Sequence, residues 1–281
     1  MITFQTLADY ALTEISALMN RTYEGYAIAV SFAPASLAAR MAADHVDLLE
    51  SFVVKVDGVP MGVALLARRG LASRLAAFGI VREGRGAGLG RAAVTHMLDR
   101  ARARGDAGMQ LEVLADNGAA IALYEACGFR RSRTLLSHES GPGRGEADAI
   151  ALMPIEVSRA VGLLQAFSDD NLPWQIAPAA FSGLPPHLTA LTDEDRSGVA
   201  LVDATAPDVR LVSLAVDPGR RARGLGAAIV LALQGHFARR RLVTAPLIPE
   251  GPATRLLERA GWLLRPLKQY EMVRPLPGSA G

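Results

Sequence analysis

This 281-residue sequence predicts a mixed α/β fold in two tandem domains, each a mixed, mostly antiparallel sheet with helices on both faces. Three observations support it. The chain contains itself twice: IVREGRGAGLGRAAV (80–94) returns as VDPGRRARGLGAAIV (216–230), identical at six of 15 positions, and LEVLADNGAAIALYEACGF (111–129) returns as TAPLIPEGPATRLLERAGW (244–262), identical at six of 19. The offsets, 136 and 133, are those of a whole domain rather than a solenoid repeat. Strand-period and helix-period segments alternate within each copy. Finally, half the residues are apolar and 21% charged, a globular composition, and the length suits two domains of about 150 residues each. The expected domains are 1–154 and 155–281, with a junction near Pro154.

In the first copy, Leu7, Tyr10, Ala11, Ile15 and Leu18 give helical spacing over Thr6 to Met19. A second helix follows over Ser36 to His45, with Pro34 at its entry. Ser51 to Val56 and Met61 to Ala67 read as strands around the Asp57-Gly58 turn. Leu75 to Val81 is an apolar strand, and Gly84 to Gly90 a glycine-rich loop entering a helix that runs to about Arg104. Met109 to Ala115 is a strand, and Gly118 to Ala126 a helix stopped by Gly128. Arg130 to His138 and Ala147 to Met153 are expected to close the domain as a hairpin around the loop Ser140 to Glu146. The second copy is shorter at its start: one helix, Val157 to Phe167, a Pro-rich stretch, strands near 187–191, 198–203 and 209–216, then glycine loop and helix over 219–238.

Composition excludes several functions. Lys+Arg 30 against Asp+Glu 28 leaves no bulk field for nucleic acid. A single cysteine, Cys127, excludes an internal disulfide and a cysteine zinc cluster, and it reads as core packing. Five scattered histidines show no metal-ligand spacing, so no metal is expected. The longest uncharged stretch, Asn171 to Thr192, contains four prolines and cannot span a bilayer as a helix. The N-terminus lacks the basic and apolar regions of a signal peptide. The expectation is a cytoplasmic protein with no nucleic-acid or membrane partner, monomeric or homodimeric.

A strand, a glycine-rich loop and a helix in succession make an anion-binding device, because loop N–H groups and the helix N-terminus point at one place. Neither glycine loop ends in Gly-Lys-Ser/Thr, and neither has the G-x-G-x-x-G spacing of a dinucleotide site. Both carry Arg-x-x-Gly-x-Gly: Arg85-Gly86-Ala87-Gly88-Leu89-Gly90 and Arg221-Ala222-Arg223-Gly224-Leu225-Gly226. With the downstream block Asn117…Leu123-Tyr124…Gly128-Phe129, the sequence resembles the GCN5-related N-acetyltransferase (GNAT) superfamily in both halves.

The resemblance implies GNAT-like domains with two splayed central parallel strands, here 75–81 and 109–115, and acetyl-CoA as co-substrate. It assigns coenzyme binding to Gly79, Ile80 and Val81 at the strand end, to Arg85, Gly86, Ala87, Gly88, Leu89, Gly90 and Arg91 in the loop, and to Asn117, which would otherwise cap its helix. Arg82 departs from the family's V-x-P, which Pro218 keeps. Tyr124 takes the position of the family's thiol proton donor, and a phenol near pKa 10 is protonated at neutral pH. Glu112 is the candidate general base, acting through water, with Asp116 and Glu24 as weaker candidates. Tyr23, Glu24, Tyr26 and Asp47 form an aromatic and acidic set suited to a cationic amine.

The second copy has Leu257 opposite Tyr124, Glu250 opposite Asn117, and Pro246 in the matching strand. Leucine cannot donate a proton, so the first domain is expected to be catalytic and the second degenerate. The expected activity is acetyl transfer to a primary amine of a small molecule or peptide. A non-catalytic coenzyme A-binding or interaction protein, or an acyltransferase for longer acyl-CoA, are the alternatives.

Overall fold

The computed structural model describes residues 1–26, 31–140 and 150–276. The chain forms two compact units, one of Met1–Ser132 with the chain from Tyr270 onward, the other of Arg133–Gln269. The expected junction at 154/155 therefore falls inside the second unit.

The first unit comprises β1 (Ile2–Thr6), α1 (Leu12–Thr22), α2 (Pro34–Asp44), β2 (Phe52–Val56), β3 (Val59–Arg69), β4 (Ala72–Ile80), α3 (Leu89–Ala103), β5 (Gly108–Leu114), α4 (Gly118–Ala126) and the start of β6 (Arg130–Leu136). The second holds β7 (His138–Ser140), β8 (Met153–Ile155), α5 (Val157–Phe167), β9 (Leu188–Thr192), β10 (Gly198–Asp203), β11 (Val209–Val216), α6 (Leu225–His236), β12 (Leu242–Val243), β13 (Ile248–Pro249), α7 (Pro252–Arg259) and β14 (Leu263–Leu264). The last strand, β15 (Gln269–Pro275), returns to the first sheet.

Two elements differ from the sequence expectation. The first helix begins at Leu12, not Thr6: Ile2–Thr6 pair antiparallel with β2, and Thr6 Oγ1 accepts from Ala8 N at 3.3 Å to start a 3-10 turn over Leu7–Asp9. Leu7 lies on the helical spacing but is buried from that turn. The expected closing hairpin does not form as proposed. Its loop beyond Ser140 and its residues 147–149 lie outside the described residues. Its end belongs to β8, which pairs antiparallel with β9. In the first sheet, ordered β1-β2-β3-β4-β5-β15-β6-β13, the neighbours of β6 are β15 and the short β13. In the second, β14-β7-β12-β11-β10-β9-β8, β7 fills the matching position beside β12. Each closing strand thus comes from the other half of the sequence, and a partner more than 100 residues away leaves no local periodicity to read.

Ala93, Val94, Met97, Leu98 and Ala101 form the apolar stripe of α3, packed on Leu66, Leu75, Met109, Leu111 and Val113 of the sheet and on Ile121 and Tyr124 of α4. Each large side chain so buried contributes about 1.5–3 kcal/mol. In the second unit Ile229, Val230 and Leu233 of α6 do the same against Ala200, Val209, Leu211 and Leu242.

Candidate functional site

β4 and β5 are parallel and pair from Ala72↔Gly108 to Leu75↔Leu111, and no further. Beyond that point β4 runs on to Ile80 and β5 to Leu114, so the strands fork. Val81 N donates to Met61 O at 2.9 Å, which makes residues 79 and 81 the hydrogen-bonded partners of β3. By strand alternation, the main-chain groups of Phe78 and Ile80 turn toward the fork. The Ile80 carbonyl accepts from Arg85 Nε at 3.1 Å. The Phe78 N–H engages the Tyr23 hydroxyl. Of the two expected donors, Ile80 and Val81, the Val81 N–H is therefore used within the sheet.

The glycine loop follows. A 3-10 turn over Arg82–Gly84 leads to Gly86 at φ +80° and Gly88 at φ +79°, and Gly88 is the N-cap of α3. A Cβ at either glycine would meet no atom of the protein within 4 Å. Their need for glycine is the left-handed backbone. Gly90 has a different reason: a Cβ there would sit 3.0 Å from Leu123 of α4. Gly79 likewise lets α1 approach β4, since its Cβ would lie 2.5 Å from Thr22. The Arg85 guanidinium is held by protein carbonyls, with Nη2 donating to Thr22 at 2.9 Å and Glu24 at 3.3 Å. Within this loop, Arg85 thus ties the chain to the end of α1 and of β4.

Tyr124 lies on α4 and is buried, with its ring edge-on to Phe129 at 5.9 Å. Burial, and then the neighbouring Tyr23 and Tyr26, push its hydroxyl far above the usual phenol range. Tyr23 packs edge-on against Tyr26 at 5.1 Å and Phe32 at 5.0 Å, and burial raises its hydroxyl as well. Asn117 caps α4, its Oδ1 accepting from Ala120 N at 3.1 Å, and its Nδ2 reaches Tyr26 Oη at 3.5 Å. Tyr23, Tyr26, Asn117 and Tyr124 thus gather around the fork. Asp47 does not join them: its carboxylate accepts from Leu49 N and Glu50 N and pairs with Arg68 at 3.6 Å.

Glu112 is the first residue of β5 beyond the paired segment, on the face opposite Leu111 and Val113. Its carboxylate is gripped by Arg74: Nε lies 2.8 Å from Oε2 and 3.2 Å from Oε1, and Nη2 lies 2.7 Å from Oε2. The sequence reading did not single out Arg74, which lies just before the expected strand start at Leu75; the available signal was an arginine leading directly into an apolar strand.

The second unit repeats the loop with altered contents. Arg221 Nε donates to Val216 O at 3.1 Å and its Nη2 to Phe167 O, matching Arg85 on Ile80 and Thr22. Gly224 has φ +87°, and Ala222 holds the left-handed φ of +60° that Gly86 holds in the first copy. Gly226 approaches Leu256 as Gly90 approaches Leu123. The parallel pairing of β11 with β12 covers only Val209↔Leu242 and Arg210↔Val243. The chain then leaves the sheet before Pro246, and Leu257, opposite Tyr124, is buried in the core.

Among the described residues, no helix is long and apolar enough to cross a membrane, and no group of three or more His, Cys, Asp or Glu could hold a metal ion.

Residues 13–129 match the Acetyltransferase (GNAT) family. Among curated proteins it is similar to the [ribosomal protein bS18]-alanine N-acetyltransferases of Escherichia coli K12, at 44% identity, and Salmonella typhimurium LT2, at 41%. Each match runs over 71 residues, 25% of this chain and 47% of the relative, so the chain spans about half the length of the curated relatives it matches. The fold of the whole chain is similar to that of a GCN5-related N-acetyltransferase from Sphaerobacter thermophilus (TM-score 0.68, 16% identity, 99% of this chain and 96% of that one). It is also similar to a tandem GNAT protein from the clavulanic acid biosynthesis pathway (TM-score 0.65, 16% identity, 98% of both chains). The mixed α/β fold in two GNAT-like copies is thus the one the sequence predicts.

Proposed function

We propose that the chain is an acetyl-CoA-dependent N-acetyltransferase whose first unit transfers acetyl to a primary amine of a small molecule or peptide. The observation that carries this is the fork between β4 and β5, with a buried, protonated Tyr124 beneath it and a glycine loop at its end. The loop N–H groups of Gly86 to Gly90 hold the pyrophosphate, and the main chain of the fork holds the pantetheine arm. The amine attacks the thioester carbonyl directly. Its proton passes through water to Glu112, the C–N bond forms, the C–S bond breaks, and Tyr124 gives its proton to the departing thiolate. The second unit lacks that acid and serves as a non-catalytic partner. The test is release of free coenzyme A thiol from acetyl-CoA over a panel of amines, including an alanine peptide because the curated relatives are named as alanine N-acetyltransferases of ribosomal protein bS18. Release with at least one amine supports the reading. Binding of acetyl-CoA without release across the panel overturns it.

A further inference from the structure

We infer that Arg74 is a positioning residue for the reaction: anchored by Asp44 on one side, it fixes the orientation of the Glu112 carboxylate at the point where β4 and β5 part. This rests on the proposed role of Glu112 as base.

Location is the first reason. Leu75 and Leu111 are the last paired residues of the two strands, and Arg74 and Glu112 stand on either side of that last rung. The ion pair sits at the crotch of the fork, where a fixed carboxylate would face the reacting amine. Geometry is the second. The guanidinium meets both carboxylate oxygens, so rotation about the last bond of Glu112 is blocked. Its third nitrogen, Nη1, lies 3.2 Å from Oδ1 of Asp44, the final residue of α2, so the helix braces the clamp.

Energetics supplies the third reason. The Arg74 side chain is 1% exposed and that of Glu112 4%. Packed apolar residues of similar volume commonly hold such a site as well as a buried ion pair does, so stability alone does not call for this one. Burial works against the charge of Arg74, but the Glu112 and Asp44 carboxylates outweigh it and hold the arginine above its ordinary value. Titratable groups beside the clamp include Arg40 on α2, 3.7 Å from Asp44, Arg69 on β3, which interacts with Asp44 and Arg74, and His45, which interacts with Asp44 and accepts from Arg69 Nε at 3.0 Å. Glu271 on β15 lies on the same face of the sheet, away from Met272, and accepts from Ser132 Oγ at 2.8 Å. Arg74 is the group that grips Glu112 in two places.

The test has an arm that does not depend on turnover. The full chain is labelled with carboxyl-13C glutamate, the Glu112 signal is identified by its loss in Glu112→Gln, and its chemical shift and line width are compared in the wild type and in Arg74→Lys. Lysine keeps the charge but cannot grip two oxygens. The Glu112 signal is expected to move and to broaden as the carboxylate samples more than one orientation. With acetyl-CoA and the best amine of the panel, Arg74→Lys should lower kcat about tenfold and leave the KM for acetyl-CoA unchanged. Glu112→Gln should cost about a hundredfold, and the double variant no more than that. A Glu112 signal unchanged in position and width, or a double variant that loses the product of the two single losses, overturns the inference. If Arg74→Lys does not fold, Asp44→Asn, which removes only the outer anchor, takes its place with the same outcomes in reduced size. A wild type that releases no thiol with any amine defeats the proposed function, while the Glu112 signal still decides the clamp.

Discussion

Arg85 Nη2 donates to the Thr22 carbonyl at 2.9 Å, so the first residue of the glycine loop closes the last turn of α1. A helix C-terminus leaves carbonyls without partners, and a guanidinium is suited to several at once. The same tie recurs in the second unit, from Arg221 to Phe167 at the end of α5. The arginine of the motif therefore joins the loop to the helix that packs beside the fork.

Arg85→Met should free both the loop and the end of α1. Because the side chain is exposed, the expected loss of stability is only about 1 kcal/mol, read as a lower urea midpoint. Acetyl-CoA affinity should fall by more than that loss implies, since the loop N–H groups lose their fixed direction. Calorimetry giving wild-type affinity for the folded variant would show that the loop holds its shape without the tie.

Tyr124→Phe should lower kcat by roughly a hundredfold while acetyl-CoA binds as before. The ring contact with Phe129 needs no hydroxyl, so the fold should survive. The pH dependence has a definite sign. The folded-state value of Tyr124 is raised by burial, so its contribution to stability is present below pH about 10, the unfolded phenol value, and is lost as pH rises above it. The wild type should therefore lose stability more steeply than Tyr124→Phe in that alkaline range, in denaturation series run across it. Turnover of the variant within about twofold of wild type would assign Tyr124 a packing role.

Much of this arrangement was legible in the sequence because it is local. The loop, the helices around it and the strands 198–203 and 209–216 follow from periodicity and from glycine spacing within a dozen residues. The tyrosines were visible as residue types. What the sequence did not reveal was non-local: β15 beside β5, β7 beside β12, and Arg74 reaching to Asp44 and Glu112. Gly79 was identifiable at the strand end and Gly90 in the loop motif, but their reason, contact with Thr22 and Leu123, depends on helices placed by tertiary packing.

Ala222 at φ +60° offers a test of how faithfully the second loop keeps its shape. A left-handed alanine costs about 1–2 kcal/mol relative to its preferred regions, and glycine carries no such penalty. Ala222→Gly should therefore stabilise the second unit, less the extra backbone entropy that glycine has when unfolded, for a net gain of about 0.5–1 kcal/mol. Denaturant melts would show the gain. A loss instead would mean that the loop reaches another conformation in solution.

The division of labour between the two loops can be decided in one steady-state assay comparing Gly88→Val with Gly224→Val. The positions correspond, with φ of +79° and +87°, and a Cβ meets no protein atom within 4 Å at either. The backbone penalty of the two changes is therefore similar, and a difference in activity reports what each loop binds. At Gly88 the new side chain enters the concavity proposed for the pyrophosphate, so the KM for acetyl-CoA should rise at least tenfold. At Gly224 turnover should stay within about twofold of wild type, because β12 pairs over two residues only and Leu257 offers no proton. Thermal melts run alongside should show comparable destabilisation in both. If both variants lose activity equally while both remain folded, the second loop takes part in the reaction, and catalysis cannot be assigned to the first unit alone.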